Sequence, residues 1–161
     1  EIRIYKMGYK KIAIGADHGG FRLKEDIKKV LTKKGYRIFD VGTESEESCD
    51  YPIYGFHAAE MVSGKKVSLG IAICKTGIGM SIIANKLPGV RAALCHTVQD
   101  AVSSREHNDA NVLVIGASRH TSKEALKMTL AWVEAKHLGG RHARRVRQMK
   151  ELEKKVFKRT N

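Results

Sequence analysis

No apolar run among the 161 residues is long enough to span a bilayer, and the amino terminus lacks the apolar core of a secretory signal. Cysteine is sparse. Cys49, Cys74 and Cys95 form an odd set without paired spacing, which argues against a disulfide framework and for a reducing, cytoplasmic setting. No Cys-x-x-Cys and no His-x-x-x-His pair occurs, so no metal site and no cofactor is expected. Internal repeats, low-complexity segments and long linkers are missing too. Acidic residues are short: 17 Asp and Glu face 30 Lys and Arg, a formal charge of +13. Much of that excess is local, because residues 136–161 hold ten Lys and Arg against two Glu.

What is present is ordinary for a globular chain: 42% hydrophobic and 29% charged residues, in a length suited to one domain with a real core. Residues 1–9 are set aside as an N-terminal extension or expression remnant. One domain is expected over 10–140. A basic helix over 141–161 then packs on that domain or on a partner subunit.

Short apolar runs predict five strands: Lys11–Ala16, Tyr36–Val41, Leu69–Ile73, Val90–Cys95 and Val112–Gly116. Helical patterns lie between them. The first puts Leu23, Ile27, Val30 and Leu31 on one face, with Lys and Glu opposite. A helix opening at Tyr51-Pro52 buries Phe56, Ala59 and Val62. Others run from Ser81 to Lys86, from Thr97 to about Arg105, and from Ser122 to Lys136, the last burying Ala125, Met128, Leu130 and Trp132. In the basic helix Val146, Met149, Leu152 and Val156 make a narrow stripe suited to a subunit contact or the domain's edge. Alternating strands and helices predict an α/β fold, a three-layer arrangement around a five-stranded parallel sheet.

Ligands in such folds bind beyond the carboxyl ends of the strands. Asp17-His18, Cys74-Lys75-Thr76 and Arg119-His120 all follow strands and therefore share that edge. The stretch Cys74-Lys75-Thr76-Gly77-Ile78-Gly79-Met80-Ser81 sets a thiol at a strand end, then a loop of small residues, then a helix. Backbone N–H groups there attract anions, and the same field favours a thiolate over a thiol. A thiolate beside such donors can take a proton from carbon and hold the negative oxygen that results. His107-Asn108 precedes a strand, so within one subunit it belongs to the opposite edge.

Each of these residues also has a plainer reading. Asp17 can serve as a helix cap. Cys49 and Cys95 read as inert small hydrophobes. His57, His96, His120 and His137 have no motif behind them. Arg141 and Arg145 share a helix face and can converge on one phosphate, whereas Arg144 and Arg147 read as solvated. The basic tail attracts nucleic acid non-specifically, but it has no interleaved aromatics apart from Phe157 and no recognition motif, which makes nucleic acid the weaker reading.

Six motifs in order carry a resemblance. They are Gly15-Ala16-Asp17-His18-Gly19-Gly20-Phe21, Asp50-Tyr51-Pro52, Cys74-x-Thr76-Gly77-x-Gly79, Ala84-Asn85-Lys86, Arg105-x-His107-Asn108 and Gly139-Gly140-Arg141-His142. Together they resemble the type B ribose-5-phosphate isomerases of the ribose/galactose-6-phosphate isomerase superfamily. The resemblance implies a Rossmann-like domain and a metal-independent aldose–ketose isomerase working through an enediolate. It implies a homodimer or homotetramer whose active sites are shared between subunits.

On this sequence it makes Cys74 the base and Thr76, with the loop Lys75, Gly77, Ile78 and Gly79, the binder of the enediolate oxygens. It makes His107 the ring-opening acid, assisted by Asp17. It assigns sugar and phosphate contacts to His18, Tyr51, Asn108, Arg119, Arg141 and Arg145. Relatives with a Glu base carry it after the glycine loop, where this chain has Met80, so the Cys-base subgroup is implied. Lys75 stands where the family usually has Gly. The expected substrate pair is ribose 5-phosphate and ribulose 5-phosphate, with a six-carbon 6-phosphate such as allose or galactose 6-phosphate as the alternative.

Overall fold

The computed structural model describes residues 10–158; the expected extension at 1–9 lies outside the described residues. Five strands, β1 (Lys11–Ala16), β2 (Arg37–Asp40), β3 (Leu69–Cys74), β4 (Ala92–Leu94) and β5 (Val112–Gly116), form one sheet in the order β2-β1-β3-β5-β4. Every pairing is parallel. The helices are α1 (Phe21–Lys33), α2 (Tyr51–Ser63), α3 (Ile78–Ala84), α4 (Val98–Asn108), α5 (Ser122–Glu134) and α6 (Gly140–Lys158), with a 3-10 turn at Ala117–Arg119. The α/β architecture and the parallel five-stranded sheet are those expected.

Side-chain alternation along the strands decides what each face can hold. Ile12, Ile14, Leu69, Ile71, Ile73, Leu113 and Ile115 point to one side, where they pack with Leu23, Ile27 and Leu31 of α1 and Met128 and Trp132 of α5. The other side carries mostly smaller residues, Ala13, Ala72, Cys74, Val112 and Val114, packed with Ala59 and Val62 of α2 and Met80 and Ala84 of α3. Glycine lets α2 approach this side closely: a Cβ on Gly15 would lie 2.7 Å from the Tyr54 carbonyl oxygen. The same alternation aims Cys74 at the α2/α3 layer.

The chain leaves β1 toward β2 on one side and continues from β3 toward β5 on the other, so a crevice opens beyond the ends of β1 and β3. Asp17 and Cys74 flank it.

Several expectations need correction. Helix α3 starts at Ile78 rather than Ser81 and is only seven residues long. β2 and β4 are shorter than the apolar runs suggested, and α5 ends at Glu134. Phe56 is 39% exposed; Gly55 and Ala58 face inward in its neighbourhood instead. Leu130 and Val30 are only half-buried. Lys24, expected on the solvent face of α1, is 1% exposed, because its ammonium group meets Asp40 at the end of β2 and Glu25 at 2.9 Å. Helix α4 continues to Asn108, so His107 and Asn108 belong to its last turn rather than to a loop. In α6, which packs on α4, only Val146 is buried, while Met149, Leu152 and Val156 are 41%, 60% and 60% exposed.

Candidate active site

The centre of the carboxyl edge is the loop after β3. Gly77 sits at φ +81°, a conformation that favours glycine, and a Cβ there would lie 2.5 Å from Leu94 Cδ1. That turn brings the Gly77 N–H onto Cys74 Sγ at 3.1 Å. The Ile78 N–H reaches Thr76 Oγ1 at 3.4 Å. The next two amides, Gly79 and Met80, have no hydrogen-bond acceptor among the described residues. The loop is pinned from the β5 side: the Lys75 carbonyl accepts the Ser118 N–H at 3.0 Å and its hydroxyl at 2.6 Å. Lys75 is exposed and does not have positive φ, so replacing the family's usual glycine carries no left-handed backbone strain.

Around this loop the structure gathers most of the predicted carboxyl-edge residues. Asp17 is 7% exposed and accepts the Gly20 N–H at 3.1 Å; Gly20, not Asp17, is the cap residue of α1. A Cβ on Gly19 would lie 3.3 Å from Lys75 Cβ and 3.4 Å from Asp17 Oδ1, so these three residues are neighbours. The Tyr51 ring lies over Gly79, where a Cβ would come within 2.4 Å of Tyr51 Cζ. Arg119 is exposed at the end of the β5 turn, its Cγ against Gly116. His18 is exposed, and its Nδ1 accepts the Cys49 N–H at 3.2 Å. Cys74 itself is only 5% exposed.

The remaining predicted residues are not brought to the thiol within one chain. His107 and Asn108 end α4 ahead of β5, and Arg141 and Arg145 open α6 beside them. They occupy the amino edge, roughly 16 Å away by the rise of a five-residue strand. The Glu106 carbonyl holds this corner together by accepting the Leu138 N–H at 3.1 Å, with His137 Nδ1 2.9 Å away.

A sequence profile of the Ribose/Galactose Isomerase family matches residues 12–149. Ribose-5-phosphate isomerase B of Escherichia coli (strain K12) is 46% identical over 147 residues, which cover 91% of this chain and 98% of that protein.

This chain belongs to the ribose/galactose isomerase family.

Solved structures agree. Ribose-5-phosphate isomerase B of Clostridium thermocellum superposes with a TM-score of 0.88 at 49% identity, covering 91% of this chain and 99% of the other. The Mycoplasma genitalium enzyme, solved with bound ribulose-5-phosphate, gives 0.86 at 36% identity over 89% and 96% of the two chains. This isomerase thus shares the whole fold with those proteins, not merely a motif.

Two neighbours of the predicted residues escaped the sequence reading. His142 stacks on His107 with ring centres 4.3 Å apart and planes 8° from parallel. Desolvation first, then the fields of His107, Arg141, Arg145 and His137, hold the His142 imidazole below its usual pKa. The other is Cys49, whose sulfur is 3.9 Å from His18 Nδ1. A signal for His142 was present in Gly139-Gly140-Arg141-His142; Cys49 had none, because its neighbour is 31 positions away. His96 and His120, which had no motif support, line a separate cleft of about 340 Å3 at the start of α5.

Proposed function

We propose that this isomerase interconverts D-ribose 5-phosphate and D-ribulose 5-phosphate through a cis-enediolate, in active sites shared between two copies of the chain. The observation that carries the reading is the Cys74 sulfur held by the Gly77 amide at the mouth of the β1/β3 crevice, with the Gly79 and Met80 amides beyond it unpartnered among the described residues.

In this mechanism His107 of the partner subunit gives a proton to the ring oxygen while Asp17 takes the anomeric one, opening the sugar. The Cys74 thiolate then removes the proton from C2. Electrons move onto O1, which gains a proton as O2 loses one, and the Cys74 thiol returns its proton to C1. Thr76 and the loop Lys75–Gly79 stabilise the negative oxygens. His18, Tyr51 and Asn108 hold the hydroxyls, and Arg141, Arg145 and Arg119 hold the phosphate. Arg141 and Arg145 supply two planar donors suited to phosphate oxygens.

Sharing of sites follows from two features. The two halves of the constellation lie on opposite edges of one chain, and an uncovered apolar surface adjoins the thiol loop. There Ile53, Ile78 and Ile82 are 55%, 55% and 58% exposed, with Tyr51 and Phe56 beside them. A second copy seated on that surface buries it and closes the crevice beside the sulfur. Three unpaired cysteines support a reducing, cytoplasmic setting.

The test is kcat/KM on ribose 5-phosphate against allose and galactose 6-phosphates, with light scattering for oligomer size. Preference for the five-carbon substrate in a dimer or tetramer is expected. A six-carbon preference overturns the substrate, and an active monomer overturns the shared site.

A further inference from the structure

A broad cleft, about 790 Å3, lies at the amino edge of the sheet, across the strands from Cys74. Its floor is the entry to β1. One wall is the turn after α2 and the other is a face of α6. Seven of its fourteen lining residues are Lys or Arg and one is acidic.

Two of those charges are already engaged. Arg91 pairs with Asp109 at 3.1 Å, and the single acid, Glu153, accepts the Gly89 N–H at 2.9 Å. The six lysines, Lys10, Lys11, Lys65, Lys66, Lys150 and Lys154, have no carboxylate within ion-pair distance among the described residues. Lys65 holds φ +58°, where glycine would fit with less strain. Lys150 and Lys154 are four apart and therefore share a face of α6. Like charges gathered in one concavity repel each other until an anion enters, and the concavity concentrates their field.

The chemistry of the lining narrows the occupant. Six ammonium groups far exceed what one phosphate monoester can neutralise. Ammonium groups are point charges that accept any arrangement of phosphate oxygens, without the fixed fork of arginine. No aromatic residue lines the cleft, so a nucleobase has no ring on which to stack. We propose that this cleft binds a linear chain of phosphates, of the inorganic polyphosphate class.

The experiment titrates the full-length protein with medium-chain inorganic polyphosphate, and with single-stranded DNA of equal charge, at physiological salt. Two double variants remove cleft charge, K65S/K66S and K150Q/K154Q. A control, K29Q/K33Q, removes the same charge from the exposed face of α1. Saturable polyphosphate binding is expected, weakened about tenfold or more by either cleft variant and about twofold at most by the control. Isomerisation kinetics stay unchanged in all three, which reports that each variant is folded and separates this site from the proposed catalytic one. The proposal is overturned by absent binding, by equal loss in cleft and control variants, or by tighter binding of DNA than of polyphosphate.

Discussion

Two thiols in this molecule are alike in burial and opposite in their hydrogen bonding. Cys74 ends β3 and Cys95 follows β4, and they are 5% and 1% exposed. Cys95 is a donor: its S–H faces the Ala93 carbonyl oxygen at 3.6 Å and the Ser104 hydroxyl at 4.0 Å. Burial pushes its pKa up to about 11, the Asp100 charge adds to this, and the Ser104 bond only partly opposes it. Cys74 is an acceptor, with an amide proton aimed at its sulfur. Burial alone therefore says little about a cysteine. What matters is whether the groups around it give protons or take them, and that is decided by the loop that follows.

The largest expected contrast comes from removing each sulfur. Cys74→Ala should lower kcat by about 10²–10⁴-fold, the usual worth of a general base, while circular dichroism stays native. Cys95→Ala should keep kcat within about twofold and cost about 1 kcal/mol of stability through the small cavity it leaves. Steady-state kinetics and urea melts of the pair read both effects. An active Cys74→Ala enzyme erases the contrast.

Next comes the loop that makes Cys74 an acceptor. Gly79→Ala places a Cβ 2.4 Å from the Tyr51 ring as it stands, so the ring or the loop must shift. A displacement near 1 Å should cost kcat/KM roughly 10–100-fold with little change in melting temperature. A change of the same size at Cys95's strand end, which has no such loop, should leave kinetics alone.

The pH dependence of stability sharpens the other side. The native Cys95 thiol titrates near pH 11, above the ordinary value of 9.0, so the unfolded chain ionises first as pH rises. Cys95 burial is therefore fully stabilising below pH 9 and is lost progressively toward pH 11, by about 2 kcal/mol. Denaturant midpoints across that window should fall less steeply in Cys95→Ala than in the wild type. Parallel curves would remove Cys95 from the account.

Much of this was legible in the chain itself. β1 and β5 were delimited by short apolar runs meeting polar or glycine punctuation, and the opposite-edge position of His107 followed from strand order alone. The misses share a cause. The start of α3 depended on a positive φ at Gly77, which no residue pattern announces. Lys24 is buried because Asp40 meets it from a different element, and Phe56 is exposed because glycine and alanine face the sheet instead. The stacking of His142 on His107 joins residues 35 positions apart. In each case the deciding contact is tertiary, and periodicity along the sequence does not carry it.

The central claim is that the sulfur and the ring-opening histidine act on one sugar from two chains. Subunit mixing of Cys74→Ala with His107→Asn tests it most directly. In mixed dimers one of the two sites carries both substitutions and the other carries neither, so an equal mixture of two inactive proteins should recover about a quarter of wild-type activity. Recovery at that level is the predicted result, and a mixture as inactive as its components after verified subunit exchange would contradict it.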